Sequence, residues 1–222
     1  MRTAAPLLAL LGHELRAPAG VVGGYLALIE QGRDTLTPEQ QKALAGARRA
    51  QQSLVEVLDG LRRLTAAWRS EDDPLTWVAL PLLAEEVRRL ASARGVPLTL
   101  DATAAVAMPR RGRDAELAEG LVTIGEAVSR EHGADVVTTV AIEDGALVWR
   151  VRPAGASSEA DARRHDFDPW RPGLGVRLVA AAVTIAASRG TLHDLSLGAQ
   201  RYGVDVTFDL ESAAPPGPLD AG

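Results

Sequence analysis

The stretch Leu11-Gly12-His13-Glu14-Leu15-Arg16-Ala17-Pro18 lies in a long segment of regularly spaced apolar residues near the start of the chain. These apolar residues follow the a and d positions of a heptad, which predicts a helix with one apolar seam; they are Leu8, Leu11, Leu15, Val22, Tyr25 and Ile29. In this frame His13 falls opposite the seam, so we expect its imidazole to face solvent. Pro18 falls on the seam and should kink the helix, because proline lacks an amide hydrogen and crowds the preceding turn.

A second helix is predicted after a break at residues 31–34. Thr37 and Gln40 have the spacing of a capping box, and Pro38 occupies the first helical position, where a missing amide hydrogen costs least. The seam continues along this helix as Leu44, Ala47, Leu54, Leu58, Leu61 and Trp68. A single hairpin of two such helices leaves a large apolar face in water, so we expect two copies to form a homodimeric four-helix bundle.

The remainder of the chain mixes strands and helices. Residues 70–74 are predicted as a polar hinge and residues 153–172 as irregular chain. The periodicity predicts strands at 75–80, 96–101, 136–142, 146–152, 191–196 and 204–210, and helices at 81–94, 114–130 and 174–188. The predicted fold class is α+β, with a helical hairpin over residues 1–70, an α/β sandwich over residues 75–211, and a disordered tail at residues 212–222.

The composition argues against several classes of function. The 222 residues carry a net charge of -5, which argues against nucleic acid as a partner because phosphate binding needs a basic surface. The chain has no cysteine, so a disulfide, a thiol nucleophile and a cysteine-bound zinc are excluded, and no metal site is predicted. No apolar run reaches the ~20 residues of a membrane span. We therefore expect a cytoplasmic protein with no membrane partner.

The stretch at residues 11–18 resembles the H-box of sensor histidine kinases, whose pattern is close to Ser-His-Glu-Leu-Arg-Thr-Pro. The resemblance implies that His13 is a phosphoacceptor, that Glu14 orients the ring or takes up its proton, and that Arg16 belongs to the same catalytic motif. Ala17 replaces the Thr or Asn that is associated in this family with dephosphorylation of the partner. Phosphatase activity of that type is therefore not expected.

Residues 75–210 resemble the ATP-binding domain of the same family, which has the α/β sandwich of the GHKL (Bergerat) type. Three stretches carry the resemblance: the opening of the nucleotide-binding helix at residues 112–117, an F-box at 167–170, and a second glycine box, Gly-Leu-Gly-Val-Arg-Leu-Val, at 173–179. Glycines before a helix N-terminus expose backbone donors that can hold phosphate. The order of these stretches along the chain is that of the family.

Two parts of the family's nucleotide site are missing. Residues 121–128, where the family's N-box supplies an asparagine to magnesium, contain no asparagine, and Pro153 stands where an aspartate contacts adenine. Proline offers neither a carboxylate nor a backbone donor. The resemblance therefore implies a domain that keeps the fold and has lost ATP, with no cofactor. If ATP and magnesium were still bound, the candidate residues would be Glu126, as a magnesium ligand, and Gly155, Gly173 and Gly175.

The leading hypothesis is a phosphorelay protein of two-component signalling, a histidine phosphotransferase or pseudokinase. His13 would exchange a phosphoryl group with the aspartate of a response-regulator receiver domain. One alternative is an active histidine kinase with a divergent nucleotide site, which phosphorylates His13 from ATP. Another is a non-catalytic module that binds a response regulator or a kinase.

Overall fold

The computed structural model describes residues 4–70, 72–102, 106–156, 162–169, 174–197 and 200–210. The helices, in chain order, are α1 (Ala4–Gln31), α2 (Pro38–Ser70), α3 (Leu80–Ala93), α4 (Asp114–His132) and α5 (Val176–Ala187), with a 3-10 turn at Arg33–Thr35. The strands are β1 (Thr76–Ala79), β2 (Leu98–Asp101), β3 (Ala107–Arg110), β4 (Val136–Glu143), β5 (Ala146–Pro153), β6 (Arg163–Asp166), β7 (Gly190–Leu197) and β8 (Gln200–Asp209). The predicted tail at residues 212–222 lies outside the described residues.

The two long helices pack against each other as a hairpin. The expected capping box starts α2: the Thr37 amide donates to Gln40 Oε1 at 2.8 Å, and the Gln40 amide donates to Thr37 Oγ1 at 3.3 Å. Helix α1 continues through Pro18 to Gln31. The heptad pattern and the capping signal therefore predicted both helices of the hairpin.

An apolar strip runs along the outside of the hairpin and is exposed in a single copy of the chain. Its most exposed members are Tyr25, 65% exposed, and Leu28, 62% exposed. The full strip consists of Leu11, Leu15, Val21, Val22, Tyr25, Leu28 and Ile29 on α1 and Leu54, Val55 and Val57 on α2. It includes most of the seam that the heptad pattern predicts for α1.

The α/β part contains two sheets. Six strands form the main sheet in the order β2-β4-β5-β8-β7-β6, in which β2 and β4 are parallel and the other neighbours are antiparallel. Strands β1 and β3 form a separate antiparallel pair. The α+β class and the α/β sandwich predicted from the sequence are confirmed.

Two of these strands were missing from the sequence prediction. Strand β3 contains Pro109, and proline argues against a strand because it cannot donate to a neighbouring chain. Strand β6 lies in the segment at 153–172 that was predicted to be irregular. All four of its residues are exposed, so it shows no alternation of apolar and polar side chains. It is held at the edge of the main sheet by its antiparallel partner β7.

Helices α3, α4 and α5 cover one face of the main sheet. The core between them contains Trp149 and Phe208 from the sheet, both fully buried, and Leu117, Leu178 and Ile185 from the helices. Burying each such side chain stabilises the fold by roughly 1.5–3 kcal/mol. This core positions the N-terminal ends of α4 and α5.

The C-terminal half of α2 packs on the α/β part and joins the two regions of the molecule. Leu58, Leu64 and Ala67 are buried there, and α2 packs along α5. The segment predicted as a hinge is also held in place. Ser70 Oγ donates to Glu116 at 3.3 Å, and Arg111 donates to the carbonyl oxygen of Asp73 at 3.0 Å.

Candidate functional site

The predicted phosphoacceptor lies in a groove between the two helices of the hairpin. His13 and Arg16 on α1 and Arg62, Thr65 and Arg69 on α2 line a cavity of about 230 Å³. On α2 the lining residues are spaced by three, four and seven positions, which places them on one helix face. His13 is exposed, as the heptad frame predicts, so a ring nitrogen can be reached from outside.

The groove carries positive charge. Arg62 is 56% exposed and forms an ion pair with Asp59, whose Oδ1 lies 3.1 Å from Arg62 Nη2. Arg16 and Arg69 are exposed and form no ion pair with any described residue. Among the described residues, no acidic side chain lines the groove. His13 therefore shares this groove with three arginines, whose guanidinium groups are suited to binding an anion.

Glu14, the neighbour of His13, is exposed and does not line the groove. No hydrogen bond or ion pair joins its carboxylate to another residue in the described part of the chain. The predicted role of Glu14 as a base or an orienting group remains a prediction.

The glycines of the predicted nucleotide site lie near the ends of β5 and α5. Gly155 follows β5 with a φ of 77°, and Gly175 precedes α5 with a φ of 48°. A Cβ at either position would meet no atom of the described residues within 4 Å, so the positive φ is what favours glycine there. Gly173 and Trp170 lie outside the described residues.

Glu126, the predicted magnesium ligand, is engaged by two arginines. Its Oε2 lies 2.6 Å from Arg177 Nη2 on α5, and its Oε1 lies 2.6 Å from Arg130 Nη2 one turn along α4. The Glu126 side chain is only 11% exposed. These two guanidinium groups compensate the carboxylate charge and occupy both of its oxygens.

Helix α2 approaches the start of α5 closely at Gly60. A Cβ at Gly60 would lie 3.1 Å from the Arg177 backbone nitrogen and 3.1 Å from the Val176 Cβ. Such a distance is tighter than an ordinary van der Waals contact. The first turn of α5, which follows Gly175, is therefore covered by α2 on this side.

A network of charged side chains surrounds this contact. Arg63 on α2 bridges Asp59, with 2.6 Å between Nε and Oδ2, and Glu119 on α4, which also pairs with Arg94. Burial opposes ionisation of Asp59, but hydrogen bonds and positive charge from Arg63 and Arg62 outweigh it and lower the pKa of Asp59. The network ties α2 to α4 through charge as well as apolar packing.

Among the described residues, no group of three or more histidine or acidic side chains is placed to hold a metal ion. None of the helices in the described part of the chain combines the length and apolar content that a membrane crossing requires.

Two solved structures share this architecture over nearly the whole chain. Full-length ShkA in complex with AMPPNP superposes with a TM-score of 0.61 and 21% sequence identity, over 91% of this chain and 45% of that chain. The histidine kinase AdeS from Acinetobacter baumannii superposes with a TM-score of 0.53 and 18% identity, over 90% of this chain and 98% of that chain. The chain therefore has the fold of a sensor histidine kinase, and the resemblance seen in the sequence is confirmed at the level of the fold. No protein-family model and no curated protein gave a significant match.

The sequence analysis did not predict several residues of the His13 groove and of the predicted nucleotide site. Arg62 and Arg69 reach the His13 groove because α1 and α2 pack side by side. The sequence of either helix alone does not show which residues then face each other. Their spacing of seven positions was a usable signal that they share a face of α2. The pairing of Glu126 with Arg177 depends on the tertiary contact between α4 and α5, which no local sequence pattern predicts.

Proposed function

We propose that this protein is a dimeric histidine phosphotransfer protein of two-component signalling, in which His13 exchanges a phosphoryl group with the aspartate of a receiver domain. The single observation that carries the proposal is the placement of His13, exposed and beside Arg16, Arg62 and Arg69 in one groove. A phosphoacceptor needs a ring nitrogen that a second protein can reach and a setting that accepts the phosphoryl charge.

The transfer step requires only groups that the two proteins supply. A ring nitrogen of His13 attacks phosphorus, and an N–P bond forms as the bond from phosphorus to the aspartyl oxygen breaks. The receiver's carboxylate leaves with that electron pair, and the ring releases the proton of its other nitrogen. Glu14 is the neighbouring base for this proton, and help of this kind is typically worth ~100- to 10,000-fold in rate.

The residues of the predicted nucleotide site do not fit a magnesium nucleotide. Glu126 is occupied by Arg177 and Arg130, Pro153 replaces the adenine-binding aspartate, and α2 covers one side of the first turn of α5 at Gly60. These features support a domain without ATP, and they disfavour the alternative of an active autokinase.

The proposed homodimer follows from the apolar strip. Its side chains would contribute roughly 1.5–3 kcal/mol each on burial, and a second copy of the hairpin presents the matching face. A two-fold four-helix bundle would cover the strip and leave the His13 groove open, because His13 lies opposite the seam.

The experiment that tests the function uses His13→Gln. Glutamine keeps the helix propensity of α1, and an exposed site leaves no cavity when the ring is removed. A purified receiver domain carrying aspartyl phosphate should label the wild-type protein with acid-labile phosphate and leave the variant unlabelled. Labelling of the variant would place the acceptor elsewhere, with His132, His165 and His193 as the remaining histidines.

A further inference from the structure

We propose that Arg69 and Arg62 of α2 form a phosphoryl-binding clamp for His13, so that the two helices of the hairpin share one active site. This inference rests on the proposed function and adds residues to it that the H-box motif does not contain. The motif lies entirely on α1, at residues 11–18, whereas the clamp comes from the opposite helix.

Helix α2 contributes two arginines and a threonine to the groove. Arg62, Thr65 and Arg69 lie on one face of α2 and line the same cavity as His13. Arginine suits this position because its planar guanidinium presents several donors at once and pairs with two phosphate oxygens. A phosphoryl group brings up to ~2 negative charges near neutral pH, and no carboxylate from the described part of the chain lines the groove to oppose it.

The two arginines differ in how much charge they can offer. Arg62 is held by Asp59, with Nε at 3.2 Å and Nη2 at 3.1 Å from Oδ1. Arg69 is exposed, and its guanidinium forms no hydrogen bond or ion pair with a described residue. We therefore expect Arg69 to be the principal clamp residue and Arg62 to add a smaller contribution. Thr65 donates its hydroxyl hydrogen to the Leu61 carbonyl at 2.8 Å. It therefore lines the groove without donating a hydrogen bond to the phosphoryl group.

The clamp should act on the transfer itself. As the phosphoryl group passes from the aspartate to the ring, negative charge spreads over its three outer oxygens. Guanidinium groups placed beside the ring before the reaction stabilise that charge without having to reorganise. The same contacts hold the phosphoryl group in the product, so both the rate of transfer and the fraction of phosphorylated His13 at equilibrium should depend on them.

The test compares Arg69→Gln and Arg62→Gln with Arg49→Gln in the whole 222-residue chain. Arg49 is a matched control, because it is also an exposed arginine of α2, has no ion-pair partner among the described residues and does not line the groove. With a phosphorylated receiver as donor, Arg69→Gln should lower kcat/KM about 10-fold or more, the loss typical of one charged hydrogen-bond partner. Arg62→Gln should lower it less, and Arg49→Gln should match the wild type.

Arg69→Lys distinguishes charge from fork geometry and should recover part of the loss, since lysine keeps the charge and lacks the planar donors. A second readout does not depend on transfer. Inorganic phosphate titrated into the protein should shift the ring C–H resonances of His13 in a saturable way, and Arg69→Gln should weaken that binding about 10-fold.

The outcomes separate the clamp from the proposed function. If the wild type accepts phosphate on His13 and all three arginine variants behave alike in both assays, the clamp is wrong and the function stands. If no phosphate reaches His13 in the wild type, the proposed function fails. In that case the titration decides the clamp: phosphate binding that Arg69→Gln weakens and Arg49→Gln does not would support an anion site, and equal binding by all variants would overturn it.

Discussion

Glu126 of α4 and Arg177 of α5 form an ion pair, with 2.6 Å between Oε2 and Nη2, where 11% and 15% of the two side chains are exposed. The carboxylate that could have bound magnesium in this domain is thus paired within the protein. A buried pair of this kind needs both partners, because either charge alone would lack compensation. The pair therefore ties the start of α5 to α4.

Glu126→Gln should lower the free energy of unfolding by about 3 kcal/mol, the low end for a broken buried pair, because both side chains keep some solvent contact. Chemical denaturation measures this. Glu143→Gln is the control, since Glu143 pairs with Arg150 at the surface and its loss should cost less than about 1 kcal/mol. Equal stability of the two variants would show that the Glu126 pair does not hold the helices together.

The close packing of α2 on α5 should require glycine at position 60. Gly46→Ala, in the same helix, adds a Cβ that meets no atom within 4 Å, so it should stabilise the protein by about 0.5–1 kcal/mol through helix propensity. Gly60→Val should instead destabilise it, because its side chain would press on the Arg177 backbone. Thermal melts of both variants test this, and a rise in Tm for Gly60→Val would mean that α2 does not pack on α5 as described.

Acid should weaken the contact between α2 and α4 through Asp59. Its pKa is lowered in the folded protein because the neighbouring arginines outweigh the effect of burial. Its contribution to stability is therefore present above the ordinary aspartate pKa of about 3.9 and is lost as pH falls through the lower folded value. As the pH falls from about 5 through the ordinary aspartate value of about 3.9, the wild type should begin to lose more stability than Asp59→Asn.

Asp34→Asn provides the control for the acid series. Asp34 is exposed and forms no ion pair with a described residue, so this variant should lose stability on acidification as the wild type does. Unfolding by urea at each pH gives the comparison. Parallel curves for the wild type and Asp59→Asn would contradict the role assigned to Asp59.

The apolar strip should decide the oligomeric state. Val22, 48% exposed in one copy, would lie in the seam of the four-helix bundle, where a charge cannot be solvated. Val22→Glu should therefore convert the dimer to a monomer in light scattering at micromolar concentration. Val137→Glu, at an exposed valine outside the strip, should leave the dimer intact. A monomeric wild-type protein would rule out the bundle.

Local patterns predicted the helical hairpin well. The heptad spacing and the capping box of Thr37 and Gln40 act within a few residues, so they are visible in the sequence and are realised in the structure. Strand β6 was missed because all four of its residues are exposed and only pairing with β7 makes it a strand. Strand β3 was missed because it contains Pro109.

The candidate site was predicted only in part. His13 and Arg16 belong to a contiguous motif on α1, whereas Arg69 joins them through the packing of two helices that are separated by a turn. The packing of α2 on α5 was missed for the same reason. It depends on Gly60, which lets the backbone of α5 come close. The sequence alone does not show that α5 lies opposite this glycine.

The proposed function requires that His13 take its phosphoryl group from a receiver domain and not from ATP. The most direct measurement incubates the wild-type protein with labelled magnesium-ATP and, separately, with a receiver domain carrying labelled aspartyl phosphate, and scores acid-labile phosphate on the protein. We predict label from the receiver, lost in His13→Gln, and none from ATP. Label from ATP on His13, or no label from the receivers of this protein's own signalling pathway, would contradict the claim.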